Sequence, residues 1–143
     1  MNIYTIGFTR KSAETFFARL KRAGVERIVD VRLSNVSQLA GFAKRDDLRY
    51  FARAICGADY VHALDLAPTR DMLDEYRGGG DWAAYERRFR ALLATRRVER
   101  SLAPALLDRA CLLCSEDHPR HCHRRVVADY LNEQWGDVTI EHL

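Results

Sequence analysis

Ser12-Ala-Glu-Thr-Phe-Phe-Ala-Arg-Leu20-Lys-Arg-Ala-Gly24-Val-Glu-Arg27-Ile-Val-Asp-Val-Arg32 reads as one helix followed by one strand, and that alternation decides the fold. Ser12 is a residue type that caps a helix N-terminus, and Phe16, Phe17 and Leu20 return at helical spacing. Gly24 suits the left-handed position that ends a helix. Residues 27–32 are compact and β-branched, as a buried strand requires. The same alternation continues in both directions. Residues 2–6 form a β-type run ending at Gly7. Residues 46–56 read as a helix carrying Leu48, Phe51, Ala52 and Ile55 on one side and closed by Gly57. Residues 59–64 form a third strand, and a helical stretch over 70–76 runs into the Gly78-Gly79-Gly80 break. Asp81 caps the next helix, whose Trp82, Tyr85, Phe89 and Leu92 or Leu93 fall at intervals of three and four and read as core, with Glu86 and Arg90 as a supporting ion pair. Residues 109–114 give a strand, 119–135 a helix with Pro119 in its first turn, and 138–143 a final strand. Strands alternating with helices of about a dozen residues imply an α/β three-layer fold with a mostly parallel sheet of about five strands and helices on both faces.

The chain of 143 residues is expected to form one domain, 1–143, long enough to bury a sizeable core. Its 48% hydrophobic and 30% charged residues exclude disorder and low complexity. The longest apolar run, 110–113, falls far short of the roughly 18 residues of a membrane span, and the N-terminus has no signal-peptide pattern. No membrane association is expected. Four cysteines without an export signal suggest reduced thiols and a cytoplasmic location. Of 23 basic residues twenty are Arg and three are Lys, a bias that reads either as codon composition or as anion binding. A net charge of +3 spread along the chain does not make the basic stripe of a non-specific nucleic-acid binder.

In open parallel sheets ligands bind beyond the carboxyl ends of the strands. That rule selects Thr9 and Arg10 after the first strand, Arg32 with Ser34 and Asn35 after the second, and Cys114, Ser115 and Glu116 after the fourth; Asp30 lies two residues before Arg32, on the same face. The densest cluster is Cys114-Ser-Glu-Asp-His-Pro-Arg-His-Cys-His-Arg-Arg125, and three chemistries compete for it. One is a metal site. Cys111 and Cys114 face opposite ways on a strand and cannot share an ion, which leaves Cys114, Cys122 and a histidine. A second is a thiolate nucleophile, either Cys122, placed in the first turns of a helix beside His123 and Arg124, or Cys114 at a strand-to-helix turn. Cys114 also begins a Cys-x5-Arg spacing ending at Arg120, but the intervening Glu116 and Asp117 would repel a phosphate. The third is a carboxylate site in which Glu116 or Asp30 moves protons while Arg32 and Arg124 hold an anionic group, set against the reading of Asp30 and Arg32 as a buried ion pair. Cys56 and Cys111 read as core, and His62 as structural.

Thr5-Ile-Gly-Phe-Thr9, Val29-Asp-Val-Arg32, Tyr60-Val-His62 and Leu113-Cys-Ser-Glu116 followed by Cys122-His-Arg124 together resemble the bacterial and archaeal family called domain of unknown function 488. The resemblance spans Ile3 to His142. Members typically have His where this chain has Phe8, and a Pro soon after the Asp-Val-Arg segment where it has Leu33-Ser-Asn35. The resemblance implies an α/β fold and a shared site built from Asp30, Arg32, Cys114, Glu116, Cys122, His123 and Arg124. It implies no activity.

The expectation is an enzyme acting on an anionic, nucleotide-like or nucleic-acid-derived substrate. Asp30, Cys114, Glu116, Cys122 and His123 are the candidate catalytic residues, and Thr9, Arg10, Arg32 and Arg124 the candidate substrate-binding ones. The alternatives are a non-catalytic nucleotide or nucleic-acid binding module and a Cys/His metal protein. No cofactor and no oligomeric state is implied. All of these readings require Arg32 and the cluster near residue 122 to open into one hollow.

Overall fold

A computed structural model describes residues 1–36 and 40–143. The elements in chain order are β1 (Asn2–Gly7), α1 (Ala13–Ala23), β2 (Arg27–Asp30), α2 (Arg45–Phe51), β3 (Asp59–His62), α3 (Arg70–Arg77), α4 (Trp82–Arg96), α5 (Val98–Ser101), α6 (Pro104–Leu107), β4 (Ala110–Cys114), α7 (His123–Trp135) and β5 (Thr139–His142). The five strands are all parallel, in the order β3-β2-β4-β1-β5. Each strand's alternation of side chains then sorts the core into two layers. Ile3, Val29, Val31, Leu112 and Cys114 pack on one face against Met72 of α3, Tyr85 and Phe89 of α4, and Val127 and Leu131 of α7. Tyr4, Ile6, Ile28, Cys111 and Leu113 pack on the other against Phe16, Phe17 and Leu20 of α1 and Leu48 of α2. Cys111 and Cys114 thus face opposite layers, as strand geometry requires. The three-layer α/β architecture read from the sequence is the one observed.

Helix ends follow the local chemistry. Ser12 accepts a hydrogen bond from the Thr15 N–H, and Gly24 closes α1 at φ 73°. Asp81 accepts from the Ala84 N–H at 3.1 Å. Thr69 caps α3 through the Met72 N–H at 3.3 Å. Loss of such a cap costs about 1 kcal/mol. Thr69→Ala is therefore expected to lower stability by about that amount, read as a shift of the urea midpoint at unchanged slope.

Three elements depart from the sequence reading. The helix expected over 46–56 is α-helical only to Phe51 and continues through a wider π-turn at Ala52–Cys56. Between α4 and β4 the chain inserts the short helices α5 and α6, too brief to show a periodicity. The helix expected from Pro119 begins at His123, with Cys122 as its extended N-cap at φ −133°, ψ 138°. The reason lies one turn on: Arg124 draws the Glu116 and Asp117 carbonyls toward its guanidinium, which keeps 115–122 out of helical conformation. Among the described residues no helix is long and apolar enough to cross a membrane.

Candidate functional site

Register places the carboxyl ends of the central strands side by side. Gly7 is opposite Cys114, and Asp30 is opposite Leu113 on one side and His62 on the other. Beyond this edge lies a cavity of about 450 Å³, within the size range of small-molecule sites. Its floor straddles the sheet. Phe8 and Arg32 come from the layer of α1 and α2, and Cys114, Cys122 and His123 from the layer of α4 and α7. Arg32 and the cluster near residue 122, ninety positions apart, therefore share one hollow.

Arg32 is held like a lever. Its Nε and Nη2 donate to the two Asp30 carboxylate oxygens at 2.8 and 2.7 Å, and Nη2 also donates to the Ala43 carbonyl at 2.8 Å. Tyr60 donates its hydroxyl to Asp30 Oδ2 at 2.6 Å; burial and then that carboxylate push the phenol well up, so it stays a donor. The Phe8 ring lies under the guanidinium, 5.1 Å away, so the position where the resemblance leads one to expect His is filled by a cation–π partner. His62 Nε2 lies 2.6 Å from the Arg32 carbonyl, a structural role. One nitrogen remains. Arg32 is 5% exposed, and its Nη1 has no hydrogen-bond partner among the described residues. A buried guanidinium N–H left over beside a cavity is a donor awaiting an acceptor.

The sulfur side is as closely built. His123 Nε2 sits 2.6 Å from the Val31 carbonyl, an acceptor only, which puts the ring proton on Nε2 and leaves Nδ1 with a lone pair. That Nδ1 is 3.5 Å from Cys114 Sγ. The Cys122 thiol, the Ser115 and Glu116 backbone N–H groups and the Arg124 charge hold the Cys114 thiol below its ordinary value, against its burial. Cys114 in turn pushes the Cys122 thiol up, with burial adding to the effect. The thiol favoured as thiolate is Cys114. Cys122, the alternative nucleophile read from its place in a helix's first turns, is an N-cap residue with the opposite shift. Cys114 Sγ, Cys122 Sγ and a His123 ring nitrogen lie within 4.8 Å of one another, so these three side chains are the donors that could hold a soft metal ion.

The remaining candidates are spread out. Glu116 lines the cavity, exposed at its rim. Asp117 does not, because Lys11 ties it down at 2.6 Å, which removes one of the two charges expected to repel an anion. Asp30 is fully buried behind Arg32 and does not reach the cavity. Arg124, 1% exposed, spends its guanidinium on the Glu116 and Asp117 carbonyls, at 3.2 Å for the latter, and on the Thr5 hydroxyl at 3.3 Å. It too stays out of the cavity. Thr9 and Arg10 are exposed outside it. The sequence reading missed the opposite wall. Arg70 and Arg77 of α3, two helical turns apart, line the cavity together with Leu73, Tyr76 and Trp82. The spacing Arg70, Leu73, Arg77 was the available signal. Trp82, read as core, packs partly on the core but also forms this wall, stacked between Tyr85 and the exposed His121 at 5.1 Å from each.

These features define a parallel α/β protein with a cysteine- and arginine-lined cavity at the carboxyl edge of its sheet. The chain belongs to the family described as domain of unknown function DUF488, whose model matches residues 12–131. No curated protein and no solved structure matches it.

Proposed function

We propose that the protein is an enzyme that attacks an anionic substrate with the Cys114 thiolate. The observation that carries this reading is that Cys114 and Arg32 line one cavity, and that the buried Arg32 Nη1 has no hydrogen-bond partner among the described residues. His123 Nδ1 takes the thiol proton, and the Val31 carbonyl fixes its tautomer. Arg32 binds an anionic group of the substrate, as the orphaned donor requires. Glu116, at the rim, is the candidate acid or base for the leaving group. Asp30 and Arg124 act as positioning residues, the first for Arg32 and the second for the loop that presents the Ser115 and Glu116 N–H groups. Arg70, Arg77 and the Tyr76–Trp82 wall favour a substrate that joins negative charge to a flat ring, hence a nucleotide-like or nucleic-acid-derived one. Thr9 and Arg10 would meet only a ligand extending past the cavity. A cytoplasmic location suits a site that needs Cys114 reduced, and all four cysteines are free.

Alkylation tests the reading without knowledge of the substrate. In reduced protein the reaction of Cys114 with iodoacetamide should rise with pH through a midpoint below the roughly 8.5 of an ordinary thiol. Iodoacetate, which carries a carboxylate, should be favoured by Arg32. Arg32→Lys keeps a cation against Asp30 but removes Nη1. It should slow iodoacetate by about tenfold, the worth of one charge-assisted hydrogen bond, and leave iodoacetamide nearly unchanged. A Cys114 that reacts as an ordinary thiol sinks the catalytic reading in favour of a binding module. Equal effects of Arg32→Lys on both reagents sink the anion site. The proximity of three soft donors favours a second reading, a metal centre, which stoichiometric zinc lost in Cys122→Ala would establish.

A further inference from the structure

We propose that Cys122 is a resolving thiol: once Cys114 has been oxidised by a hydroperoxide, Cys122 attacks it and closes a Cys114–Cys122 disulfide. The inference rests on the reading of Cys114 as the reactive thiolate, and it gives Cys122 a role that anion binding and nucleophilic attack leave empty. Cys122 is 2% exposed, lines the same cavity, and has its sulfur within 4.8 Å of both Cys114 Sγ and a His123 ring nitrogen. A buried cysteine needed only for packing has no reason to open onto a cavity beside a second sulfur.

The backbone permits closure. Cys122 stands in extended conformation ahead of the first turn of α7, at the end of an irregular loop running from Ser115. Of the bonds at the start of the helix Cys122 makes one, its carbonyl accepting from the Arg125 N–H at 3.2 Å, so drawing the two sulfurs together disturbs at most that first bond and the loop before it. No other cysteine competes. Cys111 points into the opposite layer, and Cys56 sits across the sheet against the Phe17 carbonyl.

The chemistry balances in two steps. The Cys114 thiolate attacks the terminal oxygen of the hydroperoxide; an S–O bond forms, the O–O bond breaks, and the alkoxide leaves as an alcohol after taking one proton. Sulfur is oxidised by two electrons and the peroxide is reduced by two. The Cys122 sulfur then attacks Cys114 Sγ; the S–S bond forms, the S–O bond breaks, and hydroxide leaves as water with the Cys122 proton. A dithiol reductant restores both thiols. The bridge removes the nucleophile from the cavity reversibly and protects it from irreversible sulfinic acid.

The test is peroxide treatment of the reduced full chain, followed by peptide mapping. Wild-type protein should lose two titratable thiols, regained with dithiothreitol. Trypsin separates Cys122 from Cys114 by cutting after Arg120 but leaves Cys111 and Cys114 in one peptide, so fragmentation must place the bridge on Cys114. Cys122→Ser puts a residue type favoured at the N-cap in that position and should accumulate dimedone-reactive sulfenic acid at Cys114, about tenfold above wild type, and then sulfinic acid. The proposal is overturned by sulfinic acid at Cys114 in wild-type protein with Cys122 still alkylatable, by a bridge to Cys111 or between chains, or by equal dimedone capture in both proteins. A Cys114 that meets neither peroxide nor iodoacetamide faster than an ordinary thiol removes the underlying nucleophile reading instead. Fast alkylation without a bridge leaves that reading standing and removes only this one.

Discussion

Asp30→Ala is expected to destabilise the protein by roughly 3–5 kcal/mol, the cost of leaving one member of a buried ion pair alone. The thermal midpoint should fall on the order of 10 °C. Asp30 is fully buried and takes two hydrogen bonds from the Arg32 guanidinium, a third from the Arg32 backbone N–H at 3.2 Å, and a fourth from Tyr60. The Coulomb attraction of the pair is largely offset by the desolvation of its two charges, so the net worth of the intact pair is small. Truncating Asp30 removes the attraction and leaves the desolvated cation. Arg32 then keeps only the Ala43 carbonyl and the Phe8 ring, and Tyr60 keeps only the Asn35 amide at 3.2 Å. The double variant Asp30→Ala, Arg32→Met should therefore be more stable than Asp30→Ala alone, because it removes the orphan together with its partner. Unchanged denaturation of Asp30→Ala would show that Arg32 is hydrated from the cavity and that its free nitrogen is no orphan. The iodoacetate preference should vanish with Asp30, since a guanidinium without its two-pronged anchor is no longer held in place at the cavity wall.

The layers of this fold were legible because they rest on periodicity. Ile3, Val29 and Leu112 alternate with Tyr4, Ile28 and Leu113 so regularly that two faces follow from the strands alone. Helix ends marked by Ser12, Gly24 and Asp81 were equally readable, since a capping side chain acts within three or four residues. The start of α7 was not. Pro119 is a good first-turn residue, but the conformation of 115–122 is decided by Arg124, whose three hydrogen bonds to Thr5, Glu116 and Asp117 are worth more than a local preference. A string of letters marks an arginine as charged and thus outward; only the packing shows this one buried to satisfy loop carbonyls. The same reason separates Arg32, which opens on the cavity, from Arg124, which does not. The α3 wall escaped for another cause: its Arg70 and Arg77 come from a helix and not from a strand end, so the rule that selected Arg32 and Cys114 passed over them.

Gly7→Ala tests how far the site depends on that loop, and its expected effect is about 3 kcal/mol, at the upper end of overpacking in a well-packed interior. Gly7 is not among the glycines of positive φ, so alanine brings no backbone strain there. The obstacle is space. A Cβ on Gly7 would lie 1.6 Å from the Glu116 carbonyl oxygen, 2.5 Å from its carbon and 3.1 Å from Arg124 Nη1. The first contact is with backbone and cannot be relieved by a rotamer, so β1 and the loop must part. The parting strains the Thr9 N–H bond to the Ser115 carbonyl at 3.0 Å and the Arg124 bond to Glu116, both of which hold the loop over the strand ends. It also draws the Ser115 and Glu116 N–H groups off Cys114 Sγ, where they help to keep that thiol acidic. The folded Gly7→Ala protein should therefore lose low-pH alkylation of Cys114, its pH midpoint moving up toward the ordinary 8.5 or so, while Cys56 reacts as before. The two readouts separate the causes. A fall in stability with an unmoved midpoint would mean that the loop yields elsewhere and that its N–H groups do not set the acidity of Cys114. The midpoint should move with Arg124→Met as well, because the same carbonyls lose their donor; agreement between an added methyl and a deleted guanidinium would tie both effects to the position of residues 115 and 116.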